Sequence, residues 1–328
     1  MTDLFIERSF INEYFSTLKW LRNNFFYASS EKTDLILRFN KIFFNKNVRY
    51  KNISNVKPEE LREYMFRKLM DSDQPDISHK MNFVPNPQNP SPFSFNLISN
   101  DQDSKRIRRE SNCQTYNVND LLNSTISSRL FTSSTYNIKS ELKNWGSLAE
   151  KTLRFKFIVI NDAYLFLNRP NALFEMLELL LKKSGIGNIN VFVNTSRNAF
   201  LPNGPKLSEQ NERELISAGL KKYSEDLNLK FPNISFCITV SKYHKRIFFT
   251  NCQFVHSDNS FSSYFDADEA IRIDPFLFYD ETHKTLGLYR NMAYMETVLN
   301  KISSAKIYSG NRDAVNGIIE DLARAGNS

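Results

Sequence analysis

Residues 154–193 read RFKFIVINDAYLFLNRPNALFEMLELLLKKSGIGNINVFV, and the fold of the C-terminal half turns on them. Arg154–Ile160 alternates at first and then becomes wholly apolar, as an interior strand does, and Asn161–Asp162 ends it. Asn171–Lys183 is amphipathic, with Asn171 as its cap, lysines in its last turn and Gly185 as its stop, which predicts a helix. Asn190–Val193 is the following strand, so the segment is a strand–helix–strand unit.

The pattern continues downstream. SEQNERELISAGLKKYSEDLN predicts a second helix that opens at Ser208, with Asn211 and Glu212 placed to cap it. Ile234–Val240 (ISFCITV) is a third strand. Strands alternating with helices define an α/β domain, a twisted mixed sheet with helices on both faces. Arg246–Thr250 and Gln253–His256, joined at Asn251–Cys252, are expected to add an antiparallel edge, and residues 286–303 a closing helix.

Upstream the text is harder to read. Residues 35–44 alternate like a hairpin, while the stretch around Phe10 to Phe26 competes as a helix. PEELREYMFRKLM, Pro58 to Met70, is a clearer helix, with proline at the first helical position, acids in the first turn and bases in the last. Five prolines between Gln74 and Phe93 then preclude a helix or a central strand there, which makes residues 71–112 an excursion or linker. The expected organisation is an N-terminal region, 1–112, of mixed α and β structure and unknown fold, followed by the α/β domain, 113–328, with its core at 154–303. The whole chain then counts as α/β, or α+β overall.

Composition bounds the function. A chain of 328 residues that is 41% hydrophobic can bury a sizeable core. The formal charge of +7, from 43 Lys and Arg against 36 Asp and Glu, is compatible with a polyanionic partner and does not require one. Lys105, Arg106, Arg108 and Arg109 cluster in SKRIRRE, which reads as a solvated loop unless a second basic run lies beside it. Only 9 glycines argue against a glycine-loop nucleotide binder. Cys113, Cys237 and Cys252 lack metal-ligand spacing, and Asp266, Asp268 and Glu269 have no His or Cys at ligand distance along the chain, so neither a metal nor another cofactor is expected. MTDLFIERSF lacks the basic and apolar regions of a signal peptide, and no segment reaches about 18 uninterrupted apolar residues, so no membrane span and a cytoplasmic location are expected.

Reactive residue types converge in SKYHKRIFFTNCQFVHSDNSFSSYF, Ser241 to Phe265. Period two sets His244 and Arg246 side by side on a strand; Asn251 stands at the turn that ends it, and Ser257, Asn259 and Ser260 follow. An imidazole beside a guanidinium suits a phosphoryl group, the one to attack or hydrogen-bond it and the other to grip its oxygens. Arg197, after the strand ending at Val193, is placed to line the crevice at the strand ends, with Arg154 or Lys156 as weaker alternatives. His256 is a second imidazole near the same turn.

On these residues the sequence resembles the phospholipase D superfamily, whose signature is His, any residue, Lys, four residues, Asp, then a turn containing Gly–Ser and Asn. His244, Arg246 and Asn251 hold those spacings, with arginine for the lysine and asparagine for the aspartate, and Ser257–Phe261 echoes the turn. The His–x–Arg core is similar to that of the phospholipase-D-like domains that follow microtubule-interacting-and-trafficking domains, which are regarded as binding modules. The resemblance covers about Arg154 to Ser303. It implies a site built from two such motifs, and this chain offers one, because His79 and His283 lack the pattern. A complete site would then need a homodimer.

Three functions are compatible with this reading. The first is a non-catalytic binder of nucleic acid or another phosphate-bearing ligand through His244, Arg246 and Asn251. The second is a dimeric phosphodiesterase or nuclease with His244 as nucleophile and Arg246 and Asn251 beside it. The third is an interaction subunit that docks a protein partner through its N-terminal half. The first is preferred.

Overall fold

The structure, a computed structural model, describes residues 2–23, 48–69, 80–83, 94–99, 102–103, 105–107, 114–123, 126, 129–130, 133–165, 171–184, 188–197, 207–261, 269–275 and 288–326. The hairpin expected at 35–44, together with Gly185, His79, His283, Cys113, Arg108, Arg109, Asp266 and Asp268, lies outside them. The chain divides into two compact units, one of residues 1–132 with 276–288 and Ser328, the other of 133–275 with 289–327.

The first unit is built on β1 (Thr2–Ile6), α1 (Arg8–Asn23), β2 (Val48–Tyr50), β3 (Ile53–Ser54), α2 (Pro58–Leu69), β4 (Asn82–Phe83), β5 (Ser94–Leu97), β6 (Gln114–Tyr116) and α3 (Val118–Leu121). Its four-stranded sheet, in the order β2-β1-β5-β6, is parallel throughout. Proline at the start of α2 forgoes only an N–H that has no helical partner anyway, and Glu60 Oε2 accepts the Lys57 N–H at 2.9 Å. Leu4, Ile6, Phe10, Tyr14, Leu61, Met65, Phe95 and Leu97 form its buried interior. Within the proline-rich stretch read as an excursion, Ser94–Leu97 is an interior strand between β1 and β6. Its text, SFNL, begins after the last proline, Pro92, so every N–H of the strand can enter the ladder.

The second unit has one eight-stranded mixed sheet. Its elements are β7 (Ser134–Asn137), a π-helical turn (Ile138–Leu142), α4 (Trp145–Lys151), β8 (Phe157–Asn161), α5 (Ala172–Ser184), β9 (Ile189–Thr195), α6 (Glu209–Lys230), β10 (Ile234–Val240), β11 (Ile247–Thr250), β12 (Gln253–Ser257), β13 (Ala270–Pro275), α7 (Leu288–Ser303), β14 (Lys306–Gly310) and α8 (Asp313–Gly326). The spatial order is β14-β10-β9-β8-β11-β12-β13-β7, with β8, β9 and β10 parallel and the rest antiparallel. Alternation assigns the faces. Ile158, Ile160, Val191, Val193, Ile238, Phe248, Val255 and Ile273 share one core with α4, α5 and α6. Phe157, Val159, Phe192, Cys237, Phe249 and Phe254 point the other way and are equally buried. Helix α8 packs on β9 and β10, and its Ala314, Val315, Ile318 and Leu322 are buried. The α/β class with helices on both faces is thus the observed one. Ser208 caps α6 as expected, its Oγ accepting the Asn211 N–H at 3.3 Å.

Two expectations need correction. The β11–β12 hairpin is not an edge: β11 pairs with β8 and β12 with β13, and the edges are β14 and β7. Strand β11 also starts at Ile247, so His244 and Arg246 precede it. The reason is a side chain: Asn161 Nδ2 donates to the main-chain oxygens of Lys245 and, at 3.5 Å, Tyr243, so this segment is tied by an asparagine instead of by a ladder.

At the other edge, Gly310 has φ 80°, and a Cβ there would lie 1.8 Å from the Phe236 carbonyl oxygen. Gly310→Ala is expected to cost at least about 1–2 kcal/mol for the left-handed conformation alone, before any clash. A thermal melt checks this; an unchanged midpoint would mean that β14 moves away from β10 at no cost.

Candidate functional site

Strands β8, β9 and β10 run in parallel, so their C-terminal ends share one edge of the sheet, the place where open α/β sheets bind ligands. Because β11 is antiparallel to β8, with Ile247 opposite Asn161, its leading residues arrive at this same edge. So does the far end of β12, where the Ser257 N–H donates to the Arg246 oxygen at 3.1 Å.

A polar layer holds the edge together. Asn161, Asn194 and Thr239 end or nearly end the three parallel strands on one face, each 0% exposed. The Asn194 amide donates to Asn161 Oδ1 at 2.6 Å and to Ser241 Oγ at 2.9 Å, and Thr239 Oγ1 donates to Asn194 Oδ1 at 3.0 Å. Ser241 Oγ accepts the Tyr243 N–H at 3.2 Å. Buried polar groups are costly unless satisfied, and a satisfied set fixes a single backbone path. Here that path is Ser241–Arg246.

Its candidate side chains gather around Tyr164. The Arg246 guanidinium carbon lies 5.5 Å from the centre of the Tyr164 ring, and the His244 ring lies 6.5 Å from it. The two residues are neighbours as expected, through a shared tyrosine and not through strand alternation. One Arg246 Nη donates to the Asp258 oxygen, while its Nε is buried without a partner among the described residues. Lys242, His244 and Lys245 are exposed beside it.

Under the arginine stands Asp162, 0% exposed. Its Oδ1 accepts the Tyr164 N–H at 2.9 Å, and its Oδ2 accepts the Ser260 hydroxyl at 2.7 Å and the Phe261 N–H at 2.6 Å. Burial still pushes its carboxyl pKa up, outweighing these three bonds and the nearby Arg246 charge. Asp162 therefore ties the 258–261 turn to the end of β8. Ser257 Oγ accepts the Asn259 N–H at 3.3 Å within the same turn.

The structure brings His244, Arg246, Ser257, Asn259 and Ser260 to one edge. Arg197 reaches it at the end of β9, but its Nε is paired with Glu212 Oε2 at 2.7 Å. Asn251 does not join them. It sits at the opposite end of β11, 2% exposed, where its Oδ1 accepts the Lys156 N–H at 2.8 Å and its Nδ2 donates to Cys252 Sγ at 3.2 Å. Arg154 and Lys156, before β8, belong to that far end as well, the Arg154 oxygen accepting from Cys252 Sγ at 3.2 Å. His256 lies on β12, its ring stacked on Phe254 at 4.9 Å and its Nε2 3.8 Å from Asp274 Oδ2. Burial, assisted by Arg272 and Lys245, holds its pKa down against the pull of Asp274.

Asp162, Tyr164, Asn161 and Asn194 were not singled out from the sequence. Their signal is a polar residue directly at the end of an apolar strand, as in FIVIND and NVFVNT. No cluster of His, Cys, Asp or Glu able to hold a metal occurs among the described residues, and no helix among them is long and apolar enough to cross a membrane.

No family profile and no curated protein matches the sequence. Among solved structures, NucT from Helicobacter pylori aligns at 11% identity and a TM-score of 0.31 over 52% of this chain and 98% of its own. Phosphatidylserine synthase from Haemophilus influenzae aligns at 11% identity and 0.33, over 84% of this chain and 54% of its own, so this chain spans about half its length. TrmBL2, an archaeal chromatin protein whose structure is described as showing a novel mode of DNA binding, aligns at 12% and 0.26 over 85% and 96%. All three scores are low, and nothing about this chain's ligand or chemistry follows from them.

Proposed function

We propose that the second unit binds a phosphate group of nucleic acid, or of another phosphate-bearing ligand, at the strand-end edge, without cleaving it. The observation that carries this reading is Arg246: its guanidinium is held at the strand-end edge by the Asp258 oxygen and the Tyr164 ring, with exposed Lys242 and Lys245 beside it. A guanidinium held in this way presents donors to phosphate oxygens with little ordering left to do. Lys245 adds charge beside it, His244 adds a hydrogen-bonding ring, and the Ser257, Asn259 and Ser260 turn supplies polar groups. Retention of the phosphate ester fits the placement of Asn251, which lies too far along β11 to orient the His244 imidazole as an attacking base would need.

Purified protein titrated with labelled single- and double-stranded DNA and RNA across a salt series tests this. Arg246→Ala is expected to weaken binding about tenfold or more and to lower the salt slope by about one, with the nucleic acid intact. Arg246→Lys should recover part of the loss, since it keeps the charge without the fork. Cleavage that His244→Gln abolishes would replace this reading with a phosphodiesterase. Neither binding nor cleavage would leave an interaction subunit.

A further inference from the structure

The first unit has a crevice of its own. In its sheet the chain leaves β1 for β2 on one side, while β5 pairs with β1 on the other. The strand order thus reverses at β1, and the space beyond the carboxyl ends of β1 and β5 is a topological switch point. A cavity of about 630 Å³ occupies that place, within the range of small-molecule sites. Its floor is Phe5, Ile6, Leu97 and Ile98, all buried, and Phe83 forms a wall.

The rim is polar and favours an anion. Helix α1 opens here with 16 residues and no acidic side chain in its first turn. Its first intrahelical bond is from the Ile11 N–H to the Glu7 oxygen at 3.1 Å, so the preceding N–H groups point outward. Arg8 donates one Nη2 hydrogen to the Met81 oxygen at 2.7 Å and lies 4.9 Å over the Phe83 ring. Its other donors have no hydrogen-bond partner among the described residues and can serve a ligand. Glu7, the one carboxylate on the rim among the described residues, is already engaged, its Oε2 accepting the Ser99 N–H at 3.1 Å and the Ser99 and Ser9 hydroxyls at 3.4 Å each.

We propose that this crevice binds a small molecule with an anionic group and a planar, largely apolar body, of the mononucleotide class. The anion lies against Arg8 and the backbone N–H groups at the start of α1, and the body lies between Phe83 and the floor made by Ile6, Leu97 and Ile98. This site is independent of the strand-end edge in the second unit.

The full chain is melted with and without adenosine monophosphate, adenosine or inorganic phosphate, as wild type, Ser9→Glu, Asn12→Glu and Arg246→Ala. Both glutamates place a negative charge on exposed rim positions of α1, where helix stability tolerates or favours it, while opposing an anion. The nucleotide should raise the melting midpoint of wild type and Arg246→Ala alike. Its affinity should fall about tenfold or more in either glutamate variant, and adenosine or phosphate alone should protect far less. No protection by the nucleotide, protection that survives both glutamates, protection equalled by phosphate alone, or protection lost only in Arg246→Ala would each overturn the proposal.

Discussion

Asp162→Ala should destabilise the second unit by about 2 kcal/mol or more, because two buried donors and one part-buried donor lose their acceptor at once. The Tyr164 N–H, the Ser260 hydroxyl and the Phe261 N–H converge on one carboxyl, and each unsatisfied buried group costs about 1–3 kcal/mol. Asp162→Asn should fall between, since one amide oxygen still accepts while the amide N–H faces a donor. The pH dependence has a definite sign. Burial raises the Asp162 pKa in the folded state, so the native protein holds that proton more tightly than the unfolded chain. Its contribution is fully present below the ordinary carboxylate range and is lost as pH rises through the folded pKa. Urea titrations over that window should show wild type losing stability relative to Asp162→Asn as pH increases; the opposite slope would mean that the three hydrogen bonds outweigh burial. Phosphate affinity should also fall in Asp162→Ala, because the turn it releases carries the Asp258 oxygen that holds Arg246.

Phe248→Ala is expected to cost about 3–5 kcal/mol, the usual range for emptying a fully enclosed aromatic position. Phe248 is 0% exposed in the middle of the sheet, and its ring lies 5.6 Å from that of Phe261, the residue whose N–H is bound by Asp162. Core and turn therefore share a contact, and the losses from Phe248→Ala and Asp162→Asn should not add when combined. Denaturant midpoints of the two single variants and the double variant check this. Strict additivity would show that the turn is held by its carboxylate alone.

Much of the second unit could be read from its sequence, because interior strands write themselves as apolar runs. ISFCITV is a strand from its first residue to its last, and NALFEMLELLLKK needs one residue of adjustment at each end. The site was less legible, for physical reasons that differ by residue. Period two put His244 and Arg246 together on a strand, whereas a buried asparagine 84 positions before Lys245, Asn161, takes the carbonyl partners that a strand would have used. Motif spacing put Asn251 beside them, but the four residues of β11 carry it to the far end of the sheet. Asp162 looked like an ordinary turn residue after FIVIN, and only its depth sets it apart. In the first unit the prolines obscured a parallel sheet whose strands are just three to five residues long, too short for periodicity to register.

The position of β14 bears on how the chain is made. β10 is complete at Val240, but the strand that covers its outer side is residues 306–310, so a growing chain must extend by dozens of residues before that side is paired. Synthesis runs from the N-terminus, and domains assemble as their segments emerge. Throughout that interval the backbone of Cys237, Ile238 and Thr239 offers free hydrogen-bonding groups to any extended peptide nearby, the geometry from which strand addition between nascent chains begins. Expression of a chain ending shortly after Pro275 would hold the protein permanently in that state, and aggregation would be its natural outcome.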